Sequence, residues 1–260
     1  MRKQIEQCAN RNRVRADMRK CGNMCLYRRA LTGVLAVLLA VEISACGGKA
    51  KPGQETGVSQ KAEITQEKAS APVWKDMRPE RSMELSYAKQ FSVDYYDGGY
   101  DLIQVQDDST CLVVPEGAAV PEGLPASITV LQKPLDHVYL AATSAMDLIA
   151  ALGRVDRITL SGTKESGWYV DAARQAMEDG TLSYAGKYSA PDYEQILSSG
   201  CDLALESTMI YHVPDVKAQL EQLKIPVFVE RSSYEEHPLG RMEWIRLYGV
   251  LFDAEETAEQ

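Results

Sequence analysis

The residues able to do chemistry in this 260-residue chain gather in two short stretches. Glu206, Ser207, Thr208, Tyr211 and His212 make the first; Glu230, Arg231, Tyr234 and His237 make the second. Each stretch follows an apolar run and opens on a glutamate. Two such carboxylates invite an acid/base reading, but that chemistry also needs a nucleophile, a metal or a polarising group beside them, and the sequence offers none. The three histidines, His137, His212 and His237, include no H-x-x-x-H pair able to share a metal. There is no G-x-S-x-G and no G-x-G-x-x-G. Gly180-x5-Gly186-Lys187 has the wrong spacing for a phosphate loop, with Tyr188 where Ser or Thr is required. Recognition remains. Thr143-Ser144 and Ser207-Thr208 stand where a helix begins just after a strand, so free backbone N–H groups there could hold an anion; ordinary N-capping explains the same residues equally well. Trp168-Tyr169 could be a stacking platform or half of a core. His212 and His237 could touch a ligand or simply occupy surface loops, and His137 reads as structural.

Elements must position these groups. In the segment 201–231, Leu203, Ala204 and Leu205 form one apolar run and Val227, Phe228 and Val229 another. Between them Val216, Leu220 and Leu223 recur at helical spacing behind Pro214, a residue tolerated in a first helical turn. Two buried strands around one helix make a βαβ unit, so the strands should be parallel, with ligands bound beyond their carboxyl ends. The same alternation begins near Asp136. A strand at 137–141 precedes a helix marked by Ala145, Leu148, Ile149 and Leu152, with Thr143 or Ser144 as its N-cap. A strand at 157–160 precedes a helix marked by Tyr169, Ala172, Ala173 and Ala176. Tyr193, Ile196 and Leu197 mark a short helix, and 239–252 another with Met242, Ile245 and Tyr248 or Gly249 along one side. Asp253-x-x-Glu256 has the spacing of a capping box. Upstream, 91–96 and 100–106 around Asp97-Gly98-Gly99 read as a β-hairpin, with further strands at 110–114 and 127–131. The expected fold is therefore α/β: a parallel sheet with helices on both faces, preceded by a β-hairpin extension.

Charge divides the chain. Residues 1–45 hold nine of the 28 Lys/Arg and three of the 37 Asp/Glu, leaving the remainder with 19 basic and 34 acidic residues, a net of −15. Such a body has no basic footprint for nucleic acid. The basic start reads as targeting: Arg28-Arg29, a short apolar run at 30–41, then small residues, the order of a secretory signal. Ile43-Ser44-Ala45-Cys46 resembles a bacterial lipobox, in which Cys46 is acylated; the alternative is a plain signal cut near Ala45. The translation start could be Met18 or Met24. Residues 46–72 are rich in Gly, Ser, Lys, Glu and Gln and read as a disordered tether. Cys111 and Cys201 are the cysteines left in the body, and their apolar neighbourhoods favour two free thiols over a disulfide.

The order of VYLAATSAMDLIAALG (138–153), APDYEQILSSGCDLAL (190–205), IPVFV (225–229) and PLGRMEW (238–244) resembles the substrate-binding proteins of ABC importers for iron–siderophores, haem and cobalamin. The resemblance implies two α/β lobes joined by one long helix. Residues 73–252 would be the N-terminal lobe and 253–260 the start of that helix, with the C-terminal lobe absent. It implies a non-catalytic, monomeric protein with no cofactor of its own, carrying a metal chelate to a permease and its ATPase from the outer face of the cytoplasmic membrane or the periplasm. By motif position Glu194 would dock on the permease. Arg231, Tyr211 and Trp168 would suit a siderophore, haem or corrinoid, within an edge formed by Thr143, Ser144, Ser207, Thr208, His212 and Tyr234. Cys201 departs from the family, which usually has Pro there. The competing readings are a chelatase-like enzyme on a similar sheet and a surface-interaction module on a lipidated stalk.

Overall fold

Two five-stranded sheets carry the fold, and they are built on different rules. The computed structural model describes residues 71–107 and 109–260. The expected signal segment 1–45, the Cys46 lipidation site and the tether up to residue 70 lie outside the described residues.

The first sheet contains β1 (Pro79–Ser82), β2 (Phe91–Tyr96), β3 (Tyr100–Val105), β4 (Thr110–Val114) and β5 (Ile128–Gln132), hydrogen-bonded in that order. All pairings are antiparallel except β4 with β5. In β2 the alternation of Phe91, Val93 and Tyr95 with more exposed residues seats one face on the core. Strand β3 is buried on both faces: Ile103 and Val105 enter the main core, while Tyr100 and Leu102 join Leu112 and Val114 in a smaller cluster backed by Trp74 and Met77. The β2–β3 connection places Gly98 and Gly99 at φ of 77° and 78°, a left-handed conformation that glycine adopts without a Cβ penalty. The expected hairpin, third strand and edge strand thus close into one sheet. Strand β1, exposed at all four residues, adds an edge that no alternation announces.

The second sheet follows the expected alternation. Its elements are β6 (Val138–Leu140), α1 (Thr143–Ala151), β7 (Ile158–Ser161), α2 (Asp171–Glu178), β8 (Ser183–Tyr184), the small hairpin β9 (Gly186–Lys187) and β10 (Ala190–Pro191), α3 (Tyr193–Ser198), β11 (Leu203–Ser207), α4 (Pro214–Gln222), β12 (Val227–Glu230), α5 (Pro238–Leu251) and α6 (Glu255–Ala258). The order is β12-β11-β6-β7-β8, parallel throughout. On one face Leu140, Leu205 and Phe228 belong to a core with α1, α2 and α5; on the other, Tyr139, Ala204 and Val229 belong to a cluster with α3 and α4. Burying each of the Leu, Phe and Val side chains fully is worth roughly 1.5–3 kcal/mol, so both helix layers are held by their apolar stripes. No helix among the described residues is long and apolar enough to cross a membrane.

Several local expectations are corrected. Thr143 and Ser144 lie inside α1, whose N-cap is Ala142 with no side-chain cap. Tyr169 precedes α2 and is 94% exposed, because the helix starts only at Asp171. Leu197 points outward and Ile196 alone of α3 is buried. On α5 Met242 is exposed, and the inward stripe is Trp244, Leu247, Tyr248 and Leu251. Asp253 caps nothing: at φ 52° it closes α5 in the left-handed region, and Ala254, which has no side-chain cap, takes the N-cap place before α6. Cys111 and Cys201 are free thiols, as expected.

Candidate functional site

Chain direction across the second sheet reverses between β6 and β11. From β6 the chain proceeds outward to β7 and β8, then returns to β11 and continues the other way to β12. The helices on either side of that point must diverge, which opens a crevice at the carboxyl ends of β6 and β11. Two hydrogen bonds narrow its floor: the Ala141 and Ala142 N–H groups both donate to the Leu205 carbonyl, at 2.9 and 3.1 Å. Above this floor stand the first turn of α1, the 3-10 turn Thr208–His212 and the 3-10 turn Ser232–Tyr234.

Arg231 is the organising charge. Its Nε donates to Gln90 Oε1 at 3.2 Å, and its guanidinium carbon sits 4.5 Å from the centroid of the Tyr234 ring, close enough for a cation–π contact. The Tyr234 N–H donates to the Arg231 carbonyl at 2.8 Å, so the same short turn sets both side chains. Beside them the Tyr211 hydroxyl donates to Asp107, whose other oxygen accepts from the Ser109 N–H at 3.1 Å. Burial disfavours charge on Asp107, but those two donors and the Arg231 charge outweigh it and lower its pKa. Burial and then the Asp107 carboxylate push the Tyr211 phenol upward. The result is a fixed cation, two half-exposed phenol rings and one carboxylate at the rim of the crevice. Among the described residues no hydrogen bond occupies the terminal nitrogens of Arg231. Such a set can take a ligand combining anionic groups with flat aromatic or macrocyclic surface.

Gln90 is itself held from a distance. Glu243 of α5 accepts from the Ser86, Tyr87 and Ala88 N–H groups at 2.9, 2.8 and 2.6 Å. Glu235, buried before α5, accepts from the Lys89 and Gln90 N–H groups and from Trp244 Nε1. Gly240 lets the segment approach: a Cβ there would lie 3.1 Å from the Tyr87 carbonyl oxygen and 3.2 Å from Glu235.

The expected site residues divide. Tyr211, Arg231 and Tyr234 meet. Ser207 accepts from the Met209 N–H at 3.4 Å and starts the 3-10 turn, while Thr208 and the exposed His212 sit within that turn. Thr143 is exposed on the first turn of α1, and the Ser144 hydroxyl donates to Glu230, tying α1 to the end of β12. Trp168 is no platform: it is 4% exposed, packed in the main core, and its Nε1 donates to Ser161 Oγ at 3.2 Å. His237 caps α5 by accepting from the Leu239 N–H, and it stacks on Tyr87. His137 is exposed beside Asp202. Glu194 is exposed on α3. Glu206 and Glu230 cannot act as a carboxylate pair. Their register sets them one residue apart on neighbouring strands, so they face opposite sides of the sheet. Among the described residues no three His, Cys, Asp or Glu converge to hold a metal. Sequence reasoning missed Asp107 and Gln90, which no local pattern singles out.

No family model matches the chain. An uncharacterized lipoprotein of Methanocaldococcus jannaschii is 22% identical over 257 residues, covering 88% of this chain and 58% of that protein. Among solved structures, a periplasmic haem-binding protein of Pseudomonas aeruginosa matches at TM-score 0.38 and 18% identity, over 48% of this chain and 40% of that one. The periplasmic haem-binding protein HutB of Vibrio cholerae matches at TM-score 0.37 and 18% identity, over 47% and 43%. The molybdate periplasmic binding protein MolA of Haemophilus influenzae matches at TM-score 0.40 and 13% identity, over 48% and 43%. The chain therefore spans 58% of the length of the curated relative it matches, and 40–43% of these three solved chains.

Proposed function

We propose that this chain is the ligand-gripping lobe of a lipid-anchored extracytoplasmic binding protein that captures a metal chelate and delivers it to an ABC permease. The observation that carries the reading is the Asp107–Tyr211–Arg231–Tyr234 cluster at the crevice where strand order reverses. A guanidinium held in place by Gln90 and Tyr234 presents charge without having to be ordered by the ligand, which reduces the entropic cost of binding. The order of sequence motifs supports the same class. The lipoprotein relative supports acylation at Cys46, and exposed Glu194 supports docking through α3. An iron–siderophore, haem or corrinoid would lie on the Arg231–Tyr211 face, and the remainder of the binding surface would come from a second lobe.

Titration with ferric siderophores, haem and cobalamin, followed by tryptophan fluorescence, tests the reading. Arg231→Ala should weaken the bound chelate at least about tenfold, or about 1.4 kcal/mol, with the fold intact. Unchanged affinity would remove Arg231 from the site. Glu194→Arg should leave chelate affinity alone and abolish uptake in cells; a matching fall in affinity would place Glu194 at the ligand. Cys46→Ala should move the protein out of the detergent phase, and unaltered partitioning would rule out acylation there.

A further inference from the structure

Strand β3 carries the candidate site beyond its carboxyl end, at Asp107, and a second feature at its other end. There a cleft of about 530 Å³ opens between the β2–β3 turn, β4 and the turn that follows α5. Its size falls within the range of small-molecule sites, roughly 300–1,000 Å³.

Asp101 lies at its base. It occupies the core-facing side of β3, on the same face as Ile103 and Val105, opposite Tyr95 of β2. It is 7% exposed, and among the described residues no hydrogen bond reaches its carboxylate. Its oxygens are not sealed in the core, so they open to the cleft. Two cations line the same cleft, but both are engaged elsewhere. Lys133 Nζ is 2.7 Å from Asp253 Oδ1, and the Arg81 guanidinium stacks 3.5 Å above the Tyr95 ring. Three further carboxylates, Glu80, Glu116 and Glu255, face the cleft with no ion pair among the described residues. The wall is therefore acidic in excess, with Tyr95 and Pro115 beside Asp101.

We infer that this cleft is a second binding site, for a small organic ammonium: one charged amine on Asp101, with its methylene stem against the Pro115 ring. The carboxylates are not gathered tightly enough for a metal ion, so the fitting cation carries its own bulk. The charge state of Asp101 supports the assignment. Burial first, then the neighbouring Glu255 and Asp253 charges, raise its pKa to about 7 against the lowering influence of Lys133 and Arg81. A bound ammonium would supply the missing counter-charge.

Calorimetric titration of the full chain with 1,4-diaminobutane and with n-butylamine at pH 8 tests this, with magnesium chloride and potassium chloride as controls. Saturable amine binding is expected, absent for both salts. It should weaken at least tenfold in Asp101→Asn and also as the pH falls below about 7, while Asp171→Asn on α2 should bind as the parent does. Asp101→Asn removes a buried charge, so its thermal transition should be no lower than the parent's, which separates lost binding from lost folding. No saturable amine binding by the parent protein, or equal binding by Asp101→Asn, would overturn the site. Binding of magnesium in place of the amines would overturn its ligand class.

Discussion

The two faces of the parallel sheet solve the same problem differently. Each buries one glutamate near the carboxyl end of a strand: Glu230 of β12 toward α1 and α5, Glu206 of β11 toward α3 and α4. Glu230 accepts from the Ser144 hydroxyl and, at 2.8 Å, from the Ser232 N–H. Glu206 is fully buried and, among the described residues, neither oxygen has a partner. The Tyr139 hydroxyl on its face is already donated to the Gly186 carbonyl at 2.9 Å, and the fully buried remainder of that cluster is apolar, with Tyr193 and Cys201 at its margin. Burial alone therefore raises the Glu206 pKa to about 8. The difference shows that depth does not decide what a buried carboxylate costs; the supply of donors does. Face α1/α5 supplies a helix start and a 3-10 turn. Face α3/α4 supplies a Tyr139 hydroxyl already spent on Gly186 and, among the described residues, no hydrogen bond to Glu206.

The largest test of this contrast is the pH dependence of stability. A carboxyl raised from 4.5 to about 8 on folding binds more protons in the native state, so its contribution is intact below about pH 4.5 and is lost as pH rises through 8. Glu206→Gln should flatten that slope and stabilise the protein at pH 9 by an amount on the order of a few kcal/mol. Urea denaturation at pH 5, 7 and 9 reads it; a slope identical to the parent's would mean Glu206 finds a partner in solution. Next in size, Ser144→Ala takes one of two donors from Glu230 and should cost about 1–3 kcal/mol at neutral pH. An effect below about 0.5 kcal/mol would erase the distinction between the faces. Smallest is Trp168→Phe, which keeps most of the packing on the same side as Glu230 but loses the bond to Ser161. About 1 kcal/mol is expected; a loss of the proposed chelate affinity with stability intact would instead return Trp168 to the ligand.

Periodicity made the parallel sheet legible, because helix and strand stripes there bury against one another at close sequence range. Leu203–Leu205 and Val227–Val229 are strands as read, and Leu220 is the inward residue of α4. What periodicity did not carry was decided by tertiary partners. Whether Trp168 faces solvent depends on Ser161 supplying an acceptor. Whether Asp253 caps a helix depends on how α5 ends, and Lys133, 120 residues earlier, takes its carboxylate instead. The site was half legible for the same reason. Tyr211, Arg231 and Tyr234 announced themselves by following strands, whereas Asp107 and Gln90 come from the other sheet and meet them only in the folded chain.

The latch that holds Gln90 has a consequence for the order of assembly. Its hydrogen bonds join residues 145 to 157 positions apart. A ribosome adding about 5–20 residues per second makes Glu243 roughly 8–30 s after Ser86. The first sheet can pair its strands in that interval, since its hairpins are local, but the segment entering β2 waits unfastened. Arg231 acquires its Gln90 brace only when α5 arrives. A nascent chain paused before α5 would thus have both sheets and no finished rim, so the Gln90 brace on Arg231 is among the last contacts the chain acquires.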